Sequence, residues 1–202
     1  NYFLCRQGAE KLACKFHWNK EMPRSRRSGR VILLPVRRKN SVIHNEDNIT
    51  LNPENISASN VGTAVDYLTR FMTGTDKEKA FQIPIWGAMN VKDFDYCYQL
   101  LGLVRGLDDD TIFAACQLTG YDVAYRVGKM YYKPVDEIQP DSATIENIRT
   151  MVNRSLVFWE QYGPVVMDGF TFKGGYTKTI SSGDGDFLTA DTLWDFKVLS
   201  SA

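Results

Sequence analysis

The chain has 202 residues, with 24 Lys+Arg against 24 Asp+Glu, two His and four Cys. Its length accommodates one domain with a sizeable core, and 44% hydrophobic and 12% aromatic residues exclude intrinsic disorder over most of it. The longest apolar run, Val31 to Val36, is far short of the roughly 18 residues a membrane span needs, so no membrane partner is expected.

The neutral total conceals an asymmetry. Residues 1–40 hold eleven Lys/Arg and two Asp/Glu, a balance of +9, while residues 41–202 hold thirteen and twenty-two, a balance of −9. The expected organisation is a basic N-terminal extension, 1–56, joined to an acidic domain, 57–202. Within the extension, Arg24, Arg26, Arg27 and Arg30 cluster among Ser and Gly, which predicts a loop. Val31 to Leu34 reads as a short strand, and 40–56 as irregular.

Helical periodicity begins at Ser57. Val61, Ala64, Val65, Leu68 and Met72 form one stripe, Ser57 or Ser59 can cap it, and Gly74 stops it. A second helix is expected over 91–105, with Val91, Phe94, Tyr98, Leu101 and Val104 as its stripe. A third runs from about Asp109 to Leu118, with acids at its positive end. A fourth starts near Thr144, ends before Gly163 and buries Ile145, Ile148, Val152 and Trp159. The regions of Trp86 and Trp159 read as core.

After Gly163 the period becomes alternating. Asp168-Gly169 predicts a hairpin turn inside Val165 to Phe172, and Lys173-Gly174-Gly175 a further turn before Tyr176 to Ile180. Asp186 to Thr189 and Thr192 to Val198 form a last strand pair around Ala190-Asp191. Helices followed by a mixed or antiparallel β-meander define an α+β class.

Cys5, Cys14, Cys97 and Cys116 form no CxxC pair, so neither a zinc site nor a disulfide framework is expected. Cys97 and Cys116 sit among apolar residues and read as small core residues in a reducing cytoplasm. His17 and His44 belong to no nucleophile motif. Asn1 is not a start methionine, which points to a chain trimmed from something longer.

The richest stretch chemically is Gly183 to Val198. A tight turn there brings Asp186 near Asp195. Along the second strand Trp194, Phe196 and Val198 take one face, Asp195 and Lys197 the other. Two carboxylates form an oxygen-rich site suited to Mg²⁺ or Mn²⁺, and a neighbouring lysine can orient water and offset charge on a phosphate. Asp184 is a close rival to Asp186.

This hairpin resembles the active-site hairpin of the PD-(D/E)xK nuclease superfamily, in its RecB-like and CRISPR-associated exonuclease branch. The resemblance implies a restriction-endonuclease-like core. It assigns Asp186, Asp195 and the Phe196 carbonyl to the metal, and Lys197 to the attacking water. The helix from Val61 to Phe71 resembles the branch's first helix, which makes Asp66, four residues after Gly62, a further candidate. The two matches cover about 30 residues. The family continues past its lysine into a helix and strand, whereas this chain stops at Ala202, so residues beyond Ala202 or a partner chain are expected to cover the sheet.

The expectation is a Mg²⁺- or Mn²⁺-dependent nuclease cleaving DNA, with Arg24, Arg26, Arg27 and Arg30 gripping its backbone. Trp18 and Phe16 are candidates for base stacking. The alternative is an inactive nucleic-acid- or protein-binding module that keeps the fold.

Overall fold

The computed structural model describes residues 12–17, 49–177, 180–190 and 192–197, with side chains for 49–169, 185–190 and 194. The first strand, β1 (Leu12–His17), lies in the basic extension and pairs with the last. Helix α1 (Ala58–Met72) starts where expected, at Ser57, whose side chain accepts from the Asn60 amide at 3.2 Å. Val61, Ala64, Val65 and Leu68 are buried as the stripe requires, while Met72 is half exposed.

Two short helices then appear where no element was expected, α2 (Lys77–Ala80) and α3 (Gln82–Val91). The sequence hides α3 because it carries Pro84 and Gly87. Pro84 sits in the first turn, where a missing N–H costs nothing. Gly87 lies against α6 (Tyr121–Arg126), and a Cβ there would overlap the Tyr121 carbonyl oxygen. Glycine is what lets these two helices approach so closely.

The expected 91–105 helix is shorter, α4 (Phe94–Leu103), because Lys92 adopts a left-handed conformation (φ 63°) that ends α3. Its buried face is Cys97, Leu100 and Leu101; Phe94 and Tyr98 instead pack on each other on the outside, ring centroids 4.5 Å apart and planes tilted by 44°. Helix α5 (Asp109–Thr119) starts where expected, with Asp109 and Asp110 in its first turn, and Asp108 caps it. Two 3₁₀ turns, Lys129–Tyr131 and Val135–Glu137, follow α6. Helix α7 (Ser142–Tyr162), capped by Asp141, buries Ile145, Ile148, Val152 and Trp159 as the stripe predicts. Trp86, in contrast, is 38% exposed beside Tyr125, so it is not core.

The chain ends in β2 (Met167–Thr177), β3 (Ile180–Leu188) and β4 (Thr192–Lys197), antiparallel in the order β1-β4-β3-β2. Asp168-Gly169 makes no hairpin turn. Both residues lie inside β2, with Gly169 at φ +51°. Lys173-Gly174-Gly175 also stays within that strand.

The expected α+β class with a restriction-endonuclease-like core is overturned. Such a core is built around a sheet, whereas the main apolar cluster here draws only on residues between Val61 and Val152, all of them in or beside helices. Among the described residues, the strands enter only a second, smaller cluster, where Phe187 and Trp194 pack on Phe158 and Trp159 of α7. Helices dominate because α1, α5 and α7 pack on one another, and α3 on α4 and α6, without any strand. No described helix is long and apolar enough to cross a membrane.

Candidate functional site

Among the described residues the sheet meets the helices in two ways, and the second creates a polar corner. The first is the aromatic cluster under β3 and β4. Phe187 and Trp194 are 0% and 2% exposed, and the Trp194 indole donates to Thr189 Oγ1 at 3.1 Å. These two residues face each other across β3 and β4, one step from Leu188 and Leu193. Continuing the antiparallel register by one step places position 186 across from position 195. Backbones at facing positions lie about 4.5–5.5 Å apart. By the pleat, both positions belong to the sheet face opposite Phe187 and Trp194.

The second contact joins α1, α2 and β2. Asp168 is only 7% exposed; its carboxylate accepts from Thr75 Oγ1 at 3.0 Å and from Lys79 Nζ at 3.0 Å. The next residue, Gly169, has no side chain, and the Arg70 guanidinium fills the space: a Cβ there would meet Nη1 at 2.6 Å. Arg70 is held in turn by Asp66, one helical turn back, at 2.8 Å. In the β2–β3 register Asp168 faces Phe187 and Phe170 faces Gly185, which puts position 169 across from Asp186. The Asp66–Arg70 pair is thereby brought to the stretch of sheet that carries Asp186.

Behind this corner lies a buried network. Tyr67 donates to Asp122 Oδ2 at 2.6 Å, and Arg126 Nε reaches the same oxygen at 3.3 Å. Burial, more than any other cause, pushes the Asp122 carboxyl above the usual range, against the opposing pull of Tyr67 and Arg126; the charge on Asp66 adds to the rise. The Tyr67 hydroxyl is raised by burial and by Asp122, so the shared proton stays on the tyrosine. Asp122 Oδ1 is buried with no hydrogen-bond partner among the described residues.

Of the candidates from sequence, Asp66 turns to Arg70 rather than to an open cleft, and Asp186 is half-buried at the corner. Asp184 lies in β3 across from Thr171. Asp195, Phe196 and Lys197 lie in β4, across from Cys14, Ala13 and Leu12 of β1, but their side chains and that of Asp184 fall outside the described residues. So do Arg24, Arg26, Arg27, Arg30, Trp18 and the Val31 to Leu34 stretch; of Phe16, only the strand position is described, across from Leu193. Among the described residues no three His, Cys, Asp or Glu side chains form a metal-holding group. Cys97 and Cys116 are buried free thiols, as expected, and burial pushes each up to about 12.

Sequence reasoning missed Arg70, Lys79, Asp168, Tyr67 and Asp122. The four-residue spacings Asp66–Arg70 and Asp122–Arg126 are legible as helical ion pairs and were the available signal. Nothing local marks Asp168, whose neighbours reach it across 93 and 89 residues. The chain matches no protein-family model, no curated protein and no solved structure, so the chemistry of this corner rests on its own residues.

Proposed function

We propose that the chain hydrolyses phosphodiester bonds of DNA, with Asp186 and Asp195 holding Mg²⁺ or Mn²⁺ and Lys197 orienting the attacking water. One observation supports this reading: β3 and β4 are antiparallel with Phe187 across from Trp194, and continuing that register by one step would set positions 186 and 195 side by side, on the face away from that pair. Two carboxylates and the Phe196 carbonyl form an all-oxygen donor set of the kind hard divalent cations take. A bound cation supplies Lewis acidity at the phosphate. The resemblance to the PD-(D/E)xK superfamily supports the reading through this hairpin alone, since the core around it is helical. Cleavage of DNA with Mg²⁺, followed on a gel, tests it. Asp186→Asn and Lys197→Ala are expected to abolish cleavage with unchanged circular dichroism. No cleavage by the wild type, or wild-type cleavage by either variant, refutes it.

A second reading has its own support. Asp66 and Asp168 are already neutralised by Arg70 and Lys79, as expected of a module that binds nucleic acid or protein without catalysis. Calorimetric titration with Mn²⁺ separates the two. Binding lost on Asp186→Asn favours the hydrolase; DNA binding without any Mn²⁺ uptake favours the module.

A further inference from the structure

A cleft of about 370 Å³ opens between the start of α4 and the two 3₁₀ turns, lined by Asp93, Tyr96, Tyr132, Pro134, Val135 and Asp136. It shares no residue with the Asp66/Asp186 corner. Its floor is aromatic: Tyr132 stacks on the buried Tyr121 with centroids 5.7 Å apart and planes 9° from parallel. Both hydroxyls point at one atom. Asp93 Oδ2 accepts from Tyr121 at 2.6 Å and from Tyr132 at 3.4 Å. The Tyr96 hydroxyl is turned to Gln117 Oε1 at 3.3 Å.

This hydrogen-bond pattern leaves the cleft rich in acceptors and poor in donors. The tyrosine protons are committed inward, held on their oxygens by burial and by Asp93. Asp93 Oδ1 takes no described donor, and the Asp136 side chain, which is exposed, has none either. Lys92 and Lys133 adjoin Asp93 and Tyr132 in sequence, yet among the described residues no Lys or Arg ion-pairs with either acid. A site with two carboxylates, tyrosine rings and no cation of its own is complementary to a positively charged group with several N–H donors. The volume falls near the lower end for ligand sites, about 300–1,000 Å³, which suits a small head group on a flexible stem.

We propose that this cleft binds an organic cation, a guanidinium or alkylammonium group, which donates to Asp93 and Asp136 and packs against Tyr132. The source is either a free amine or a basic side chain of another polypeptide, and the test has an arm for each. Protein with ¹³C-labelled tyrosine rings is titrated by NMR with agmatine, with the tripeptide Gly-Arg-Gly, and with KCl at matched ionic strength. Saturating shifts of the Tyr96 and Tyr132 ring signals with agmatine or the tripeptide, absent with KCl, are expected. Saturation by agmatine alone marks a free amine as the ligand; saturation by the tripeptide alone marks a side chain. Asp136→Asn and Tyr132→Leu are each expected to weaken binding about fivefold or more. Asp136 is exposed, so its variant keeps the fold and tests the site even if Tyr132→Leu is unstable. Shifts that never saturate, that KCl reproduces, or that persist unchanged in Asp136→Asn overturn the proposal.

Discussion

Gly169→Ala is the most direct probe of how the sheet is docked. At φ +51° an alanine enters the left-handed region, at a cost of about 1 kcal/mol. Its Cβ would also stand 2.6 Å from Arg70 Nη1, so the guanidinium must move. The Asp66–Arg70 pair, 2.8 Å long and mostly shielded from solvent, is then strained or broken; pairs of this spacing contribute about 0.5 kcal/mol. With some loss of packing around the displaced side chain, the total is about 2 kcal/mol. Urea denaturation measures it directly. In an Arg70→Ala background the steric part is gone, and Gly169→Ala is expected to cost only the conformational part, about 1 kcal/mol. A loss below about 0.5 kcal/mol in the wild type, or an equal loss in both backgrounds, refutes this account of the docking.

Two further predictions test the aromatic cluster and the buried acid. Trp194→Ala removes a ring packed on Phe158, Trp159 and Tyr162 and is expected to cost about 3–5 kcal/mol. Because the main apolar cluster contains no strand residue among those described, the tryptophan band of the near-ultraviolet dichroism should fade while the helical far-ultraviolet signal persists; loss of both together contradicts the division into two clusters. Asp122 is raised in the folded state, so its contribution to stability is complete below about pH 3.9 and is lost as pH rises through the folded value. Asp122→Asn stays neutral throughout. Thermal melts from about pH 4 to about pH 7 should therefore show the variant gaining on the wild type as pH rises, and a constant or opposite difference refutes the sign.

Legibility from sequence followed the range of the interactions involved. Helices α1, α5 and α7 are legible because capping and periodicity act within one or two turns: Ser57, Asp108 and Asp141 each accept from the amide three residues on. α3 was hidden because Pro84 and Gly87 read as breakers, and only the presence of α6 explains the glycine. The phase of α4 was misjudged for a related reason. Phe94 and Tyr98 satisfy each other on the surface, leaving Cys97, Leu100 and Leu101 to face the core.

The candidate site divides the same way. Alternation along Trp194 to Val198 is local, and from it the sequence predicts Asp195 and Lys197 on the face opposite Trp194; the structure bears on the strand itself, β4, and on Phe187 as the partner of Trp194. Asp168-Gly169 carried a turn signal of equal local strength, yet a left-handed glycine inside a strand gives the same dipeptide another use, as a seat for Arg70.

The charge asymmetry, the main helices and the alternation that singled out Asp186 and Asp195 were decided by the sequence alone, because each depends on residues close together in the chain. The tertiary structure decided that helices rather than a sheet build the core, that Asp168 is a buried anchor, and that Asp66 is tied to Arg70 beside the sheet. Long-range partners have no local signature: burial and charge pairing across some ninety residues emerge only when the folded surfaces meet.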